Sequence, residues 1–287
     1  MTSLPLKSSY KKPHKAGIGR FFVLAALLIV LLVVLLPFAI VIINAFKTPE
    51  DYATYGPLSW PTEWSIAGIV EFWQRVDYSQ KLLNSLLISA SVAVIGVLLS
   101  LLNAFALGIG RIKGRIWLLI LFMVANTLPQ ESLVYPLYYL SKEFDLYNTR
   151  FVVILIFSVI QSAFGTYLLS SVFSTFPKEM LEAAMLDGCN KLQLLFKIIV
   201  PVSRPTLAVL FTFFFIWTWN EFFLPLILLI SNDRQTVPIA VGVLQGQRNM
   251  EATLSSASAL LGILPCFIFF LIFQRTLTKG IAAGSVK

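Results

Sequence analysis

The chain has 287 residues, of which 57% are hydrophobic and 13% charged, and its mean hydropathy is +0.82. A soluble domain is about 45–50% apolar and about 25% charged. The composition therefore excludes an ordinary soluble enzyme, a disordered chain and a disulfide scaffold, and points to an all-α polytopic membrane protein. The net charge of +8, from 22 basic and 14 acidic residues, marks either an anionic partner or a membrane topology.

Residues 1–20 read as a basic tail holding Lys7, Lys11, Lys12, Lys15 and Arg20, with the single histidine, His14, solvated among them. The run 21–43 is nearly pure Leu, Val, Ile, Phe and Ala. About 20 such residues cross the hydrocarbon. The run is too long for a signal-peptide core and no small-residue cleavage site follows it, so 21–46 is an uncleaved first span. Further spans are predicted at about 82–107, 116–140, 151–176, 206–231 and 254–274. The third is the weakest, because Asn126, Thr127, Pro129, Gln130 and Glu131 interrupt it. Six spans put both termini on one side, with residues 275–287 a second tail beyond a transmembrane domain of 21–274. Of the 22 basic residues, 15 fall in the two tails and in the loops 108–115 and 177–205, and 7 in the opposite loops. Basic residues collect on the cytoplasmic side. The charge is thus a topology signal with both termini cytoplasmic, and it calls for no nucleic acid.

Two acids, Glu131 and Glu221, fall within predicted spans, where charge is costly and usually faces the bundle interior, a cavity or the interface; an acid close enough to a helix end to reach water is the alternative, open above all for Glu131. The chain contains no Gly-Lys dipeptide, so it can build no P-loop, and any energy for transport enters from elsewhere. Cys189 and Cys266 suit neither a disulfide framework nor a metal site, and the topology predicts no bridge between them.

The loop 177–205 is not a plain linker. Pro177 suits a helix start, the stretch 178–187 is built of good helix formers, and Gly188 fits a left-handed stop. Asn190 with Gln193 three residues on is a variant capping box for a second helix, which Pro201 and Pro205 are expected to end. A hairpin lying on the surface without a partner is one reading. The other is a docking element: Ala183 and Ala184 beside Glu182 make a small-residue face that lets a helix sit deep in a groove, oriented by the charge.

Glu182-Ala183-Ala184, Asp187-Gly188, Phe196, Pro201 and Pro205 resemble the EAA loop of ABC importer permeases, with Cys189 where alanine is usual. Asn84-Ser85 is similar to the opening of their second span. Trp219-Asn220-Glu221-Phe222-Phe223 with Pro225 is similar to the fifth-span signature of the carbohydrate branch. The end of the chain, Gln274-Arg275 with Gly280, Gly284 and Lys287, resembles the maltose-type second permease subunit. The likeness implies a MetI-like fold in the cell membrane and a pathway shared with a second permease subunit. It also implies two ATPase subunits that bind ATP and magnesium, and an extracytoplasmic binding protein that delivers a carbohydrate. The chain itself would be no enzyme and bind no cofactor. Glu182, Ala183, Ala184, Asp187 and Gly188 would form the coupling helix that docks on an ATPase subunit, and Gly280, Gly284 and Lys287 would touch the ATPase pair, a solvated basic tail being the alternative for 275–287.

Gln161, Trp217, Trp219, Asn220 and Glu221 are the candidate pathway residues, because aromatic faces and amide or carboxylate groups suit the C–H faces and hydroxyls of a di- or oligosaccharide. Helix packing is the alternative for each of them. Trp60, Trp64 and Trp73 of the first outer loop suit either the binding protein or the aromatic belt of the membrane interface. The rival functions are a glycerol-phosphate-type importer, an ion-coupled carrier and a non-transporting scaffold.

Overall fold

The computed structural model describes residues 18–110, 112–246 and 251–285. The tail before residue 18, Arg111, Arg248 and Lys287 lie outside the described residues. Every regular element among the described residues is helical.

Helix α1 (Ile18–Ala45) has 28 residues and is exposed along nearly all of its length. At 1.5 Å per residue it is about 42 Å long, enough for hydrocarbon and part of the headgroups. A short lobe follows with α2 (Pro49–Tyr55) and α3 (Ala67–Arg75). Thr48 caps α2 by accepting the Asp51 N–H at 3.1 Å. The buried Lys47 donates to Gly56 O at 2.8 Å and Ser59 Oγ at 2.9 Å, and Asp51 accepts from Thr62 Oγ1 at 2.9 Å. The connection between α1 and the next long helix is therefore a folded unit.

The centre of the bundle is α4 (Tyr78–Ala104), α7 (Arg150–Ser174) and α10 (Val200–Asn220). Their close approach rests on small residues. A Cβ on Gly165 would come within 2.8 Å of Ser100 Cβ and 2.9 Å of Phe214 Cζ. Helix α4 continues as a π-turn, Phe105–Ile109, giving the span Tyr78–Ile109. Helix α13 (Ala252–Ser285) packs against α10 and α3, and α1 leans on α13.

The third span is broken. Helices α5 (Arg115–Thr127) and α6 (Gln130–Glu143) meet at 96°. Pro129 forces Leu128 into extended backbone (ψ 129°), which no α-helix tolerates.

The fifth span differs from the expected 206–231 at both ends. The short helix α8 (Lys178–Leu186) is followed by α9 (Lys191–Gln193) and a π-turn, Leu194–Ile199, that run directly into α10. The whole run Lys191–Asn220 is a 30-residue span. Pro201 and Pro205 do not end it. Pro201 sits in the first turn after the π-turn, whose wider hydrogen-bond register accommodates a residue without an N–H. At its far end the helix stops at Asn220, and α11 (Phe223–Leu228) begins after a kink. Pro225 explains the stop, since in a continuous helix it would leave the Glu221 carbonyl unbonded and press on it.

Helix α12 (Val237–Gln245) packs between α4 and α13. Helix α13 continues to Ser285, so the last span and the proposed tail are one helix through that residue. Among the described residues five helical runs are long and apolar enough to cross a membrane, and the bent pair α5–α6 makes six if counted as one span.

Candidate functional site

The first candidate site is the end of the bundle that carries α8. Pro177 stands just before α8 with extended backbone, and Glu179 in the first turn complements the helix dipole. The helix ends in a Schellman motif. Cys189 N–H donates to Ala184 O at 3.0 Å and Gly188 N–H to Met185 O at 3.1 Å, with Gly188 at φ 84°. The reciprocal capping box follows: Gln193 N–H to Asn190 Oδ1 at 2.8 Å and Asn190 N–H to Gln193 Oε1 at 2.9 Å. The local signals in the sequence thus give the local structure.

The side chains divide less simply. Glu182, Ala183, Asp187 and Gly188 are exposed, whereas Ala184 is buried in the chain's own core, where α8 leans on Leu194–Ile199. Only one of the two alanines is open to a partner. The most exposed apolar side chain of the turn is Leu186, at 88%, with Met185 and Leu192 beside it. Sequence reasoning passed over Met185 and Leu186 as ordinary helix formers and did not single out Leu192. Their signal is apolar character in a short connection that is otherwise polar. Glu182 borders a cavity of about 460 Å³ between α8 and the π-turn of α4, with Lys178 and Lys191 also lining it.

The second candidate site lies where the two broken spans meet. A cavity of about 420 Å³ is lined by Gln130, Phe157, Gln161, Trp217, Asn220 and Glu221. Gln130 opens α6 just past one break, and Asn220 and Glu221 flank the other. Gln161 is 5% exposed. Its Nε2 donates to Thr218 Oγ1 at 2.9 Å, while its Oε1 has no partner, and Gln130 Oε1 is also buried without one. Asn220 Nδ2 is used on Ile216 O at 2.8 Å. Trp217 is half exposed and stacks on Phe213. Among the described residues no lysine, arginine or histidine lines this cavity.

Four of the five pathway candidates come together here, and Trp219 does not. It is 2% exposed, stacks on Phe215 and donates its indole N–H to Gly262 O at 3.3 Å. An aromatic two positions from another on a helix points to a different side, so Trp217 and Trp219 could not share one cavity. Glu131 is exposed in the first turn of α6.

The pair Asn84-Ser85 locks the segment after the fifth span. Asn84 Nδ2 donates to Asp233 O at 2.8 Å and Gln235 O at 2.9 Å, and its Oδ1 accepts from Arg150 Nη1 at 2.9 Å. Ser85 Oγ accepts the Val237 N–H at 2.8 Å. The buried Lys81 donates to Asn232 through both its backbone carbonyl and its Oδ1. Sequence reasoning noted the pair as a motif but had no way to see its partners about 150 residues away. Gly280 and Gly284 lie on α13.

The chain is similar to known proteins of one family. The family described as "Binding-protein-dependent transport system inner membrane component" matches residues 96–282. The inner membrane ABC transporter permease protein YcjP of Escherichia coli is 29% identical over 279 residues, 96% of this chain and 99% of that protein. The probable ABC transporter permease protein YurM of Bacillus subtilis is 31% identical over 280 residues, 96% of this chain and 92% of that protein. The arabinooligosaccharides transport system permease protein AraQ of Halalkalibacterium halodurans is 32% identical over 204 residues, covering 71% and 72%. A chain from the crystal structure of a bacterial ABC transporter involved in the import of the acidic polysaccharide alginate shares the fold. Its TM-score is 0.79 at 20% identity, with 92% of this chain and 99% of that chain covered.

Proposed function

The chain belongs to the family of binding-protein-dependent transport system inner membrane components, and on that premise we propose that it is the permease subunit of an ATP-driven importer of a neutral di- or oligosaccharide. It is a multi-pass membrane protein. With a second permease subunit it forms the pathway, two ATPase subunits supply the energy, and a binding protein delivers the sugar.

The observation that carries the reading is the run Lys191–Asn220. It begins at the capping box beneath α8 and ends at the break bordering the cavity of Gln161 and Glu221. Its 30 residues extend about 45 Å. A push on α8 therefore reaches the cavity through one continuous helical element, as rigid-body alternating access requires. ATP binding biases one end of a bistable assembly and the loaded binding protein biases the other.

The cavity's lining supports a neutral sugar. Gln161 Oε1 and Gln130 Oε1 are unspent acceptors and Glu221 is a carboxylate, so the site awaits hydroxyl donors. The half-exposed Trp217 offers a face for sugar C–H groups. A phosphate or uronate would meet the acidic side chain of Glu221 and, among the described residues, no cation here, which weighs against a glycerol-phosphate-type solute.

Proteoliposomes holding the complete transporter, supplied with binding protein and ATP, test the assignment. Accumulation of a neutral oligosaccharide, lowered by Gln161→Ala and Glu221→Ala, is the expected result. Accumulation of glycerol phosphate but of no neutral sugar would overturn it.

A further inference from the structure

A third cavity, of about 240 Å³, lies at the α8 end between the start of α5, the π-turn of α4 and the last turns of α7. That is several times the roughly 30 Å³ of a water molecule. We propose that it holds the phosphate of an acidic phospholipid, coordinated by Arg115 and the hydroxyl-bearing end of α7.

The polar lining is Arg115, Tyr167, Ser170, Ser171 and Ser174, a guanidinium and four hydroxyls with no carboxylate. Such a set selects an oxyanion: the guanidinium presents five N–H donors in a planar fork, and the hydroxyls of Tyr167, Ser170 and Ser171 can each add one more. Neither ion pair found among the described residues includes Arg115. Gly114 precedes α5 at φ 81° and no side chain caps the helix, so its positive end also lies at Arg115.

Ser170 is the independent sign of a ligand. It lines the cavity, is 3% exposed, and its Oγ has no hydrogen-bond partner. Ser174, one turn on, already gives its hydroxyl to Ser171 O at 2.7 Å. A buried hydroxyl without a partner is destabilising, and a phosphate oxygen would satisfy it.

The position favours a lipid as the source of the phosphate. Ile116, Trp117 and Leu121 follow Arg115 and are exposed, Trp117 at 73%, on a helix of the membrane domain. A tryptophan at the start of an apolar helix marks the interface, and an arginine there keeps its head at phosphate level. Lys113, exposed two residues earlier in the chain, adds a second positive charge to the same connection. Basic pockets between spans at this level hold acidic headgroups.

The test uses the complete transporter in membranes of phosphatidylcholine containing spin-labelled phosphatidylglycerol or, separately, spin-labelled phosphatidylcholine. The proposal expects more motionally restricted phosphatidylglycerol than phosphatidylcholine. Arg115→Gln should weaken that preference about fivefold, one basic residue's share at a membrane surface. Ser170→Ala, which breaks no hydrogen bond within the protein, should also lower it. Excess inorganic phosphate should leave it standing. Equal restriction of the two lipids, or an unchanged preference in both variants, would overturn the site. Loss of the preference in excess phosphate would overturn the lipid assignment in favour of a soluble phosphate. The readout is lipid association, so it stands apart from the sugar assignment.

Discussion

Gly188 shows what a single position decides. At φ 84° it completes the Schellman motif that turns α8 toward the capping box of Asn190 and Gln193. A β-branched side chain there would be strained by roughly 1–2 kcal/mol. Gly188→Val should abolish ATP-driven sugar uptake while leaving the protein in the membrane, whereas Gly188→Asn, which tolerates the left-handed region, should retain much of it. Glu182→Lys should also stop uptake. Membrane immunoblots beside transport assays check all three. Asn84→Ala would strip the carbonyls of Asp233 and Gln235 of a donor and leave Arg150 without its acceptor. A loss of about 1–3 kcal/mol is expected, read as a lower Tm of the purified transporter. Gly188 and the capping box were legible in the sequence because their geometry is set by neighbours a few residues away. The burial of Ala184 and Trp219 was not, because it depends on which face of a helix the rest of the bundle covers.

The breaks at Leu128–Pro129 and at Glu221–Phe222 determine what the elements can do. Pro225→Ala restores an N–H to the carbonyl of Glu221 and removes the ring that opposes a continuous helix. Sugar uptake should fall while binding of the ATPase subunits is retained, since α8 is untouched. Unchanged uptake would separate that break from the pathway. The contact of α4 with α7 is equally exacting. Gly165→Leu places a side chain where even a Cβ would meet Ser100 and Phe214. Overpacking of this kind costs about 1–3 kcal/mol or more, so the variant should be poorly recovered from membranes. The apolar runs announced the spans because hydrocarbon demands them. Their ends and continuity were harder to read. The prolines at 201 and 205 look like stops until a π-turn absorbs the first, and the proline at 225 acts four residues before itself.

Across the whole molecule, α8 stands at one end of the run Lys191–Asn220 and the acceptor-rich cavity at the other. The resemblance in the EAA loop implies a docking element there, but the exposed apolar tip of Met185, Leu186 and Leu192 emerges only once α8 is folded against its own bundle. That tip offers a direct way to ask whether α8 couples an ATPase subunit to the sugar pathway. Leu186→Cys in the complete transporter, treated with a short bifunctional thiol reagent, should cross-link to a cysteine introduced in the ATPase cleft. The link should stop sugar uptake, and a reducible version should restore uptake on cleavage. Free labelling of Leu186→Cys by a bulky maleimide in the assembled transporter, without any loss of uptake, would contradict the account.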